Sequence, residues 1–211
     1  GIEREFGLEL SAGQEVIDLG TKVVGIDILY NVRSRNVEVT AKRVKPNTRY
    51  YVFMENIDLT PYAVPKYLPI TMNRGTFSVN DIVQSSNSEI TGSASIKFRV
   101  ASPNHKLGVF NNPTETIQRC ILPNIGVFEL PTAYSSTSQV LNIDTADLAS
   151  ENNIDNIGWV RKGMSLVNAD GDAEATVESV ALYSDEKGDL IFSLHIPDPK
   201  ISGNPLFTTG N

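Results

Sequence analysis

The chain has 211 residues, 40% of them hydrophobic, a formal net charge of −7, one cysteine and two histidines. That apolar content builds a real core in one large or two ordinary domains, and the acidic balance argues against wholesale nucleic-acid binding. Cys120 alone excludes an internal disulfide framework, His105 and His195 supply no Cys/His set at zinc spacing, and no run approaches the ~20 apolar residues that span a bilayer.

In chain order, the first clear pattern lies in residues 32–65. Val37, Val39 and Ala41 alternate with Glu38, Thr40 and Lys42, which predicts a half-buried strand. Pro46-Asn47 then marks a corner, since proline fixes its own backbone and cannot donate to a ladder. Val44, Pro46, Thr48, Tyr50 and Val52 continue the alternation into a returning strand. Tyr50 stands just inside that strand, where its ring can pack in a two-sheet core and its hydroxyl can bond back to the corner. This spacing resembles the E to F corner of fibronectin type III and immunoglobulin-like sandwiches; an ordinary β-hairpin with a coincidental tyrosine is the alternative. Arg33, Arg35, Lys42, Arg43, Lys45 and Arg49 make a local basic cluster, read as a solvated strand face or a protein contact because no stacking platform accompanies it.

Pro61, Pro65 and Pro69 interrupt regular structure, and Asn73-Arg74-Gly75 signals a turn, so a boundary is expected near residue 73. A strand over 76–83 follows, then a polar loop over 85–88. Ala94, Ile96, Phe98 and Val100 alternate with polar residues as another strand. Over 102–138 periodicity fails and Pro103, Pro113, Pro123 and Pro131 punctuate the path, which predicts a long irregular segment held by a partner. The clearest helix candidate, 144–151, is short and capped by Asp144 or Thr145. Leu166 and Val167, the turn at 168–171, and Ala173, Ala175 and Val177 read as a strand pair; residues 185–189 form a tight turn at Gly188, and 191–196 is a strand leading out as a terminal hairpin.

Several segments, in order, carry a resemblance: PNTRYYVF with DLTPYAVP, VASPNHKLGVFNNPT, AYSSTSQVLNIDTADLA, GMSLVNADGDAEATV and GDLIFSLHIPDPKISGNPLFTTGN. Together they resemble large structural proteins of tailed bacteriophages, with T4-like phages of cyanobacteria the nearest likeness, over most of the chain from about residue 30. The resemblance implies one β-sandwich built from both chain ends, 1–72 plus 186–211, with 73–185 as an inserted β module. Phe192-Ser193-Leu194 departs from the family's habit of a glycine before the late aromatic, which leaves the pairing of that strand open. Gly1 at the start and Phe207-Thr208-Thr209-Gly210-Asn211 at the end suggest a piece of a longer polypeptide.

Chemistry-bearing residues are sparse. Asn168, Asp170, Asp172 and Glu174 place oxygens at alternate positions as a calcium loop might, but Ala173 stands where the EF-hand pattern needs glycine, so an Asp-Gly turn accounts for them. His105, His195 and Cys120 have no motif partner and read as structural. No catalytic, cofactor-binding or metal residue is therefore expected. The expectation is a non-enzymatic virion structural module, assembled in the host cytoplasm and holding neighbouring phage subunits in tail or baseplate as a homo- or hetero-oligomer, without nucleic acid or membrane insertion. The rival is a receptor-binding module that takes a cell-surface glycan through Tyr62, Tyr67 and Tyr134, and a cell-wall hydrolase is weaker still.

Overall fold

A computed structural model of the chain describes residues 9–12, 15–17, 35–85, 96–117, 119–150 and 158–197. These residues are mainly β, and every strand pair among them is antiparallel. Short strands β1 (Glu9–Ala12) and β2 (Glu15–Ile17) come first, then β3 (Arg35–Ala41), the corner, β4 (Arg49–Met54), β5 (Ile57–Asp58), a single 3-10 turn at Thr60–Tyr62 and β6 (Ala63–Pro65). Next follow β7 (Tyr67–Arg74), β8 (Phe77–Ser78), β9 (Ile82–Ser85) and β10 (Lys97–Arg99). An arm of two hairpins, β11 (His105–Val109) with β12 (Asn112–Thr116) and β13 (Ile121–Leu122) with β14 (Gly126–Val127), precedes β15 (Ala133–Tyr134), β16 (Val140–Asn142) and helix α1 (Thr145–Leu148). The chain closes with β17 (Ser165–Asn168), β18 (Glu174–Val177), β19 (Leu182–Tyr183) and β20 (Leu190–Ile196).

Two sheet systems form two main cores. In the first unit the path β19-β4-β1-β2, with β5 on β4, faces the three strands β3-β20-β6. Val44, Tyr50, Val52, Met54, Leu59, Ala63, Leu182, Leu190, Phe192 and Leu194 fill the space between them. The second unit is the six-stranded order β10-β9-β17-β18-β7-β16, curled around Leu68, Phe77, Phe98, Tyr134, Leu141, Trp159, Met164 and Leu166. This is the sandwich-like, mainly β architecture expected from the alternation of Val37 through Val52.

The corner has the anticipated chemistry. Tyr50 is fully buried and its hydroxyl donates to the Lys45 carbonyl at 3.2 Å. The same carbonyl accepts the Ser184 hydroxyl at 2.6 Å, and Val44 N–H donates to the Gly188 carbonyl at 3.0 Å, so the corner is seated on the turn before β20. Gly188 has φ +81°, and a Cβ there would lie 2.3 Å from the Val44 carbonyl oxygen, which explains glycine at this close approach. Because Lys45 would keep the Ser184 bond, Tyr50→Phe should cost only about 0.5–1 kcal/mol in chemical denaturation, with the ring still packed.

Several boundaries differ from the sequence reading. The changeover between cores falls at β6, where Ala63 points into the first and Val64 into the second; it does not fall near residue 73, because β7 runs unbroken and buries Leu68, Ile70 and Met72 in the second core. On the return, Val177 belongs to the second core and Leu182 to the first, ahead of residue 185. The strand expected over 76–83 is split into β8 and β9 by a turn in which Asn80 has φ +76° and Asp81 accepts the Ser78 N–H. Segment 102–138 holds the two arm hairpins, and Cys120 and Leu122 join Tyr67 and Val140 in a small core of their own. The terminal strand does not lead out as a hairpin, because β20 inserts between β3 and β6, with Phe192 opposite both Val39 and Pro65. The helix starts where expected, with Asp144 as its cap accepting from Asp147 N–H at 3.2 Å. Ala94 and the residues after 197 lie outside the described residues.

Candidate functional site

The polar chemistry of the molecule gathers in a buried seam between the two units and the arm. It begins with β20, whose seven residues are all buried, so both faces of the strand are covered. Leu190, Phe192, Leu194 and Ile196 fill the first core. Residues of alternate parity, Ser193 and His195, stand on the opposite face, paired with Glu38 and Asn36 of β3. The sequence pattern places Glu38 on the polar face, yet Thr145 of α1 donates to it at 2.8 Å and leaves it partly buried, while Asn36 is buried and donates to the Gly158 carbonyl at 3.0 Å.

His195 is buried against Trp159, with ring centroids 4.9 Å apart, and Trp159 meets Tyr62 edge-on at 5.1 Å. Its Nδ1 lies 2.9 Å from Asn36 Oδ1. Since the Asn36 amide nitrogen is already a donor to Gly158, that oxygen accepts and His195 carries its proton on Nδ1. Burial pushes its pKa down to about 4, so it is a neutral ring at physiological pH.

Lys66 forms the middle of the seam, placed by the step from β6 into β7. It is 2% exposed, and its Nζ donates to the Ile143 carbonyl at 2.6 Å and to His105 Nδ1 at 2.8 Å. His105 in turn donates from Nε2 to the Gly108 carbonyl at 2.9 Å, which fixes the neutral tautomer. Burial lowers the Lys66 amine to about pH 7, against the upward pull of Asp144 and Glu38. Burial and the neighbouring Lys66 charge hold His105 below the usual histidine range.

Lys106 forms the third part, reaching from the arm into the turn 185–189. Its Nζ lies 2.8 Å from Asp185 Oδ2 and forms a second ion pair with Asp189 Oδ2. Burial opposes the charge, but the two carboxylates outweigh it and hold the lysine above its ordinary range. The other oxygen of Asp185 accepts the backbone N–H of Lys187 at 2.9 Å and of Asp189 at 3.0 Å, so the turn itself aims both acids at the amine. Tyr67, Leu122, Leu182 and Ile191 help line the adjoining cleft, about 10 Å³ in size, which matches one water and no larger ligand.

The residues singled out from sequence divide clearly. His105 and His195 sit in the seam, and Cys120 lies beside it with its thiol directed at the Ser184 carbonyl; burial pushes that thiol up to about 12, so it is protonated and unreactive. Asn168, Asp172 and Glu174 are engaged in the β17–β18 hairpin: Asn168 binds Asp172 and the Ala173 N–H, and Glu174 pairs with Arg74 and Ser165. Among the described residues no group of three or more His, Cys, Asp or Glu converges as a metal ligand set. Two of the three tyrosines proposed as a glycan platform are interior: Tyr134 is fully buried with its oxygen accepting Asn142 N–H, and Tyr67 packs on Phe128. Tyr62 is half-buried against Trp159. Of the basic cluster, Arg35, Lys42, Arg43, Lys45 and Arg49 are exposed, with Lys42 paired to Glu115 of the arm and Arg49 over the Tyr51 ring; Arg33 lies outside the described residues.

Lys66, Lys106, Asp185 and Asp189 are the seam residues that sequence reading missed. Lys66 had a signal, a lone cation inside the apolar run from Ala63 to Ile70. Lys106 had none, because its partners are 79 and 83 residues away in sequence. Comparison of the chain with protein-family models, curated proteins and solved structures found no match in any of the three.

Proposed function

We propose that the chain is a non-enzymatic structural module that joins subunits of a larger assembly, with the tail or baseplate of a tailed phage as the setting its sequence resemblance supplies. One observation carries the structural role: the buried ionisable side chains of the seam bond to one another and to backbone, in a space too small for a substrate. Catalytic groups need a cleft into which a substrate can enter, and the cleft beside Lys106 has about 10 Å³ of room.

Contact surface is concentrated on the arm. Val109, Ile121 and Val127 are the large hydrophobic residues left exposed among the described residues, and all three lie on its two hairpins. Ile121 and Val127 are cross-strand partners, so they form one apolar spot at a hairpin edge, the kind of feature that subunit contacts cover. Sedimentation of the purified chain at rising concentration should show association that the triple variant V109D/I121D/V127D abolishes while its melting temperature stays within a few degrees. A chain that stays monomeric to its solubility limit would count against the role.

A further inference from the structure

We propose that Lys106 and Asp189 close an intramolecular amide bond, with Asp185 as the acid–base group that moves the protons. The three side chains are almost wholly enclosed, with Lys106 2%, Asp185 2% and Asp189 6% exposed. Both carboxylates meet one nitrogen: Asp185 Oδ2 lies 2.8 Å from Nζ, and Asp189 Oδ2 is hydrogen-bonded to it. The two acids are not equivalent. Asp185 is anchored through its other oxygen by two backbone N–H groups of its own turn, which holds Oδ2 in place against the amine. Asp189 presents its carboxyl to the amine and is the acyl donor.

Pro65, Leu122, Leu182 and Ile191 line the site, so three charges are held where little solvent stabilises them. A fixed amine against a fixed carboxyl replaces a bimolecular encounter with an intramolecular one. Asp185 takes one proton from the Lys106 ammonium, and the freed lone pair on Nζ attacks Cγ of Asp189. The tetrahedral centre then loses one Asp189 oxygen, which departs with two of the three original ammonium protons as water, one of them relayed through Asp185. An ammonium and a carboxylate become an amide and water, Asp185 returns to its carboxylate, and no oxidant or second reactant is needed. The product fastens the arm to the sandwich across 83 residues of sequence.

Intact mass spectrometry of the full chain, folded and then denatured, tests this directly. The expected result is a mass lower than that of the sequence by one water, with a branched peptide joining Lys106 to Asp189 after proteolysis. D189N should lose ammonia instead, because the side-chain amide nitrogen becomes the leaving group, and K106R should show the full mass. D185N should form the bond at least tenfold more slowly, a loss expected when a positioned acid–base group is removed; formation at the wild-type rate would overturn the part given to Asp185. A wild-type chain that keeps its full mass after prolonged incubation overturns the proposal. So does a water loss that persists in K106R, since that places the dehydration elsewhere, for instance at Asp170-Gly171.

Discussion

Lys106→Met should destabilise the chain by about 3–5 kcal/mol relative to the wild-type chain before its amide closes, the range for removing one partner from a buried ion pair. The size follows from what remains: Asp185 and Asp189 would be buried together without the amine that pairs with both of them. Much of the loss should be recovered in the triple variant K106M/D185N/D189N, because the neutral amide of residue 185 can still accept the turn N–H groups while both stranded charges disappear. Denaturant melts of the four chains, wild type, K106M, D185N/D189N and the triple, give the coupling. If K106M melts with the wild type, the triad does not hold the arm.

The second large effect is on pH dependence, and it belongs to Lys66. Its folded pKa, about 7, lies below its ordinary value of 10.5. Below pH 7 both folded and unfolded chains carry the proton, and the cost of burying the charge is fully present. As pH rises above 7 the folded chain releases the proton while the unfolded chain keeps it, so stability rises with a slope approaching about 1.4 kcal/mol per pH unit. Over pH 7 to 9 this amounts to roughly 2–3 kcal/mol. Above that window Cys120 and Tyr134, both held near 12 by burial, act in the opposite direction, since they ionise more readily in the unfolded chain. Asp144, Glu38 and His105 are the titratable groups facing Lys66, and burial and the Lys66 charge hold His105 below its ordinary range. Lys66→Met should flatten the wild-type rise between pH 7 and 9, measured by urea melts; an equal rise in both chains would contradict the assignment.

How much of this was legible in sequence depends on the range of the interaction. The strand of Val37 and Val39, the Tyr50 corner, the Asp144 cap and the hairpin of Leu166 with Ala175 are local patterns, and the structure contains each of them. The polar face of β3 is exposed at Thr40 and Lys42 as read but partly covered at Glu38, because alternation reports which residues differ in polarity and cannot say whether a second layer will cover part of the polar set. Glu38 looks solvated in sequence and becomes partly covered when Thr145 of α1 bonds to it, and Asn36 is buried with its amide on the Gly158 carbonyl. His195 inside a hydrophobic strand was the counterpart signal, since a buried ring nitrogen implies a polar partner, here Asn36. The Lys106 contacts depended on tertiary closure and had no local trace.

The structural role would be tested most directly by a reconstruction of the assembled particle that contains this chain. The account predicts the arm hairpins buried against a neighbouring subunit, with Val109, Ile121 and Val127 covered and the seam of Lys66, Lys106 and His195 closed. A chain found at a free outer tip of the particle, with both hairpins in solvent and no neighbour on the arm, would contradict it.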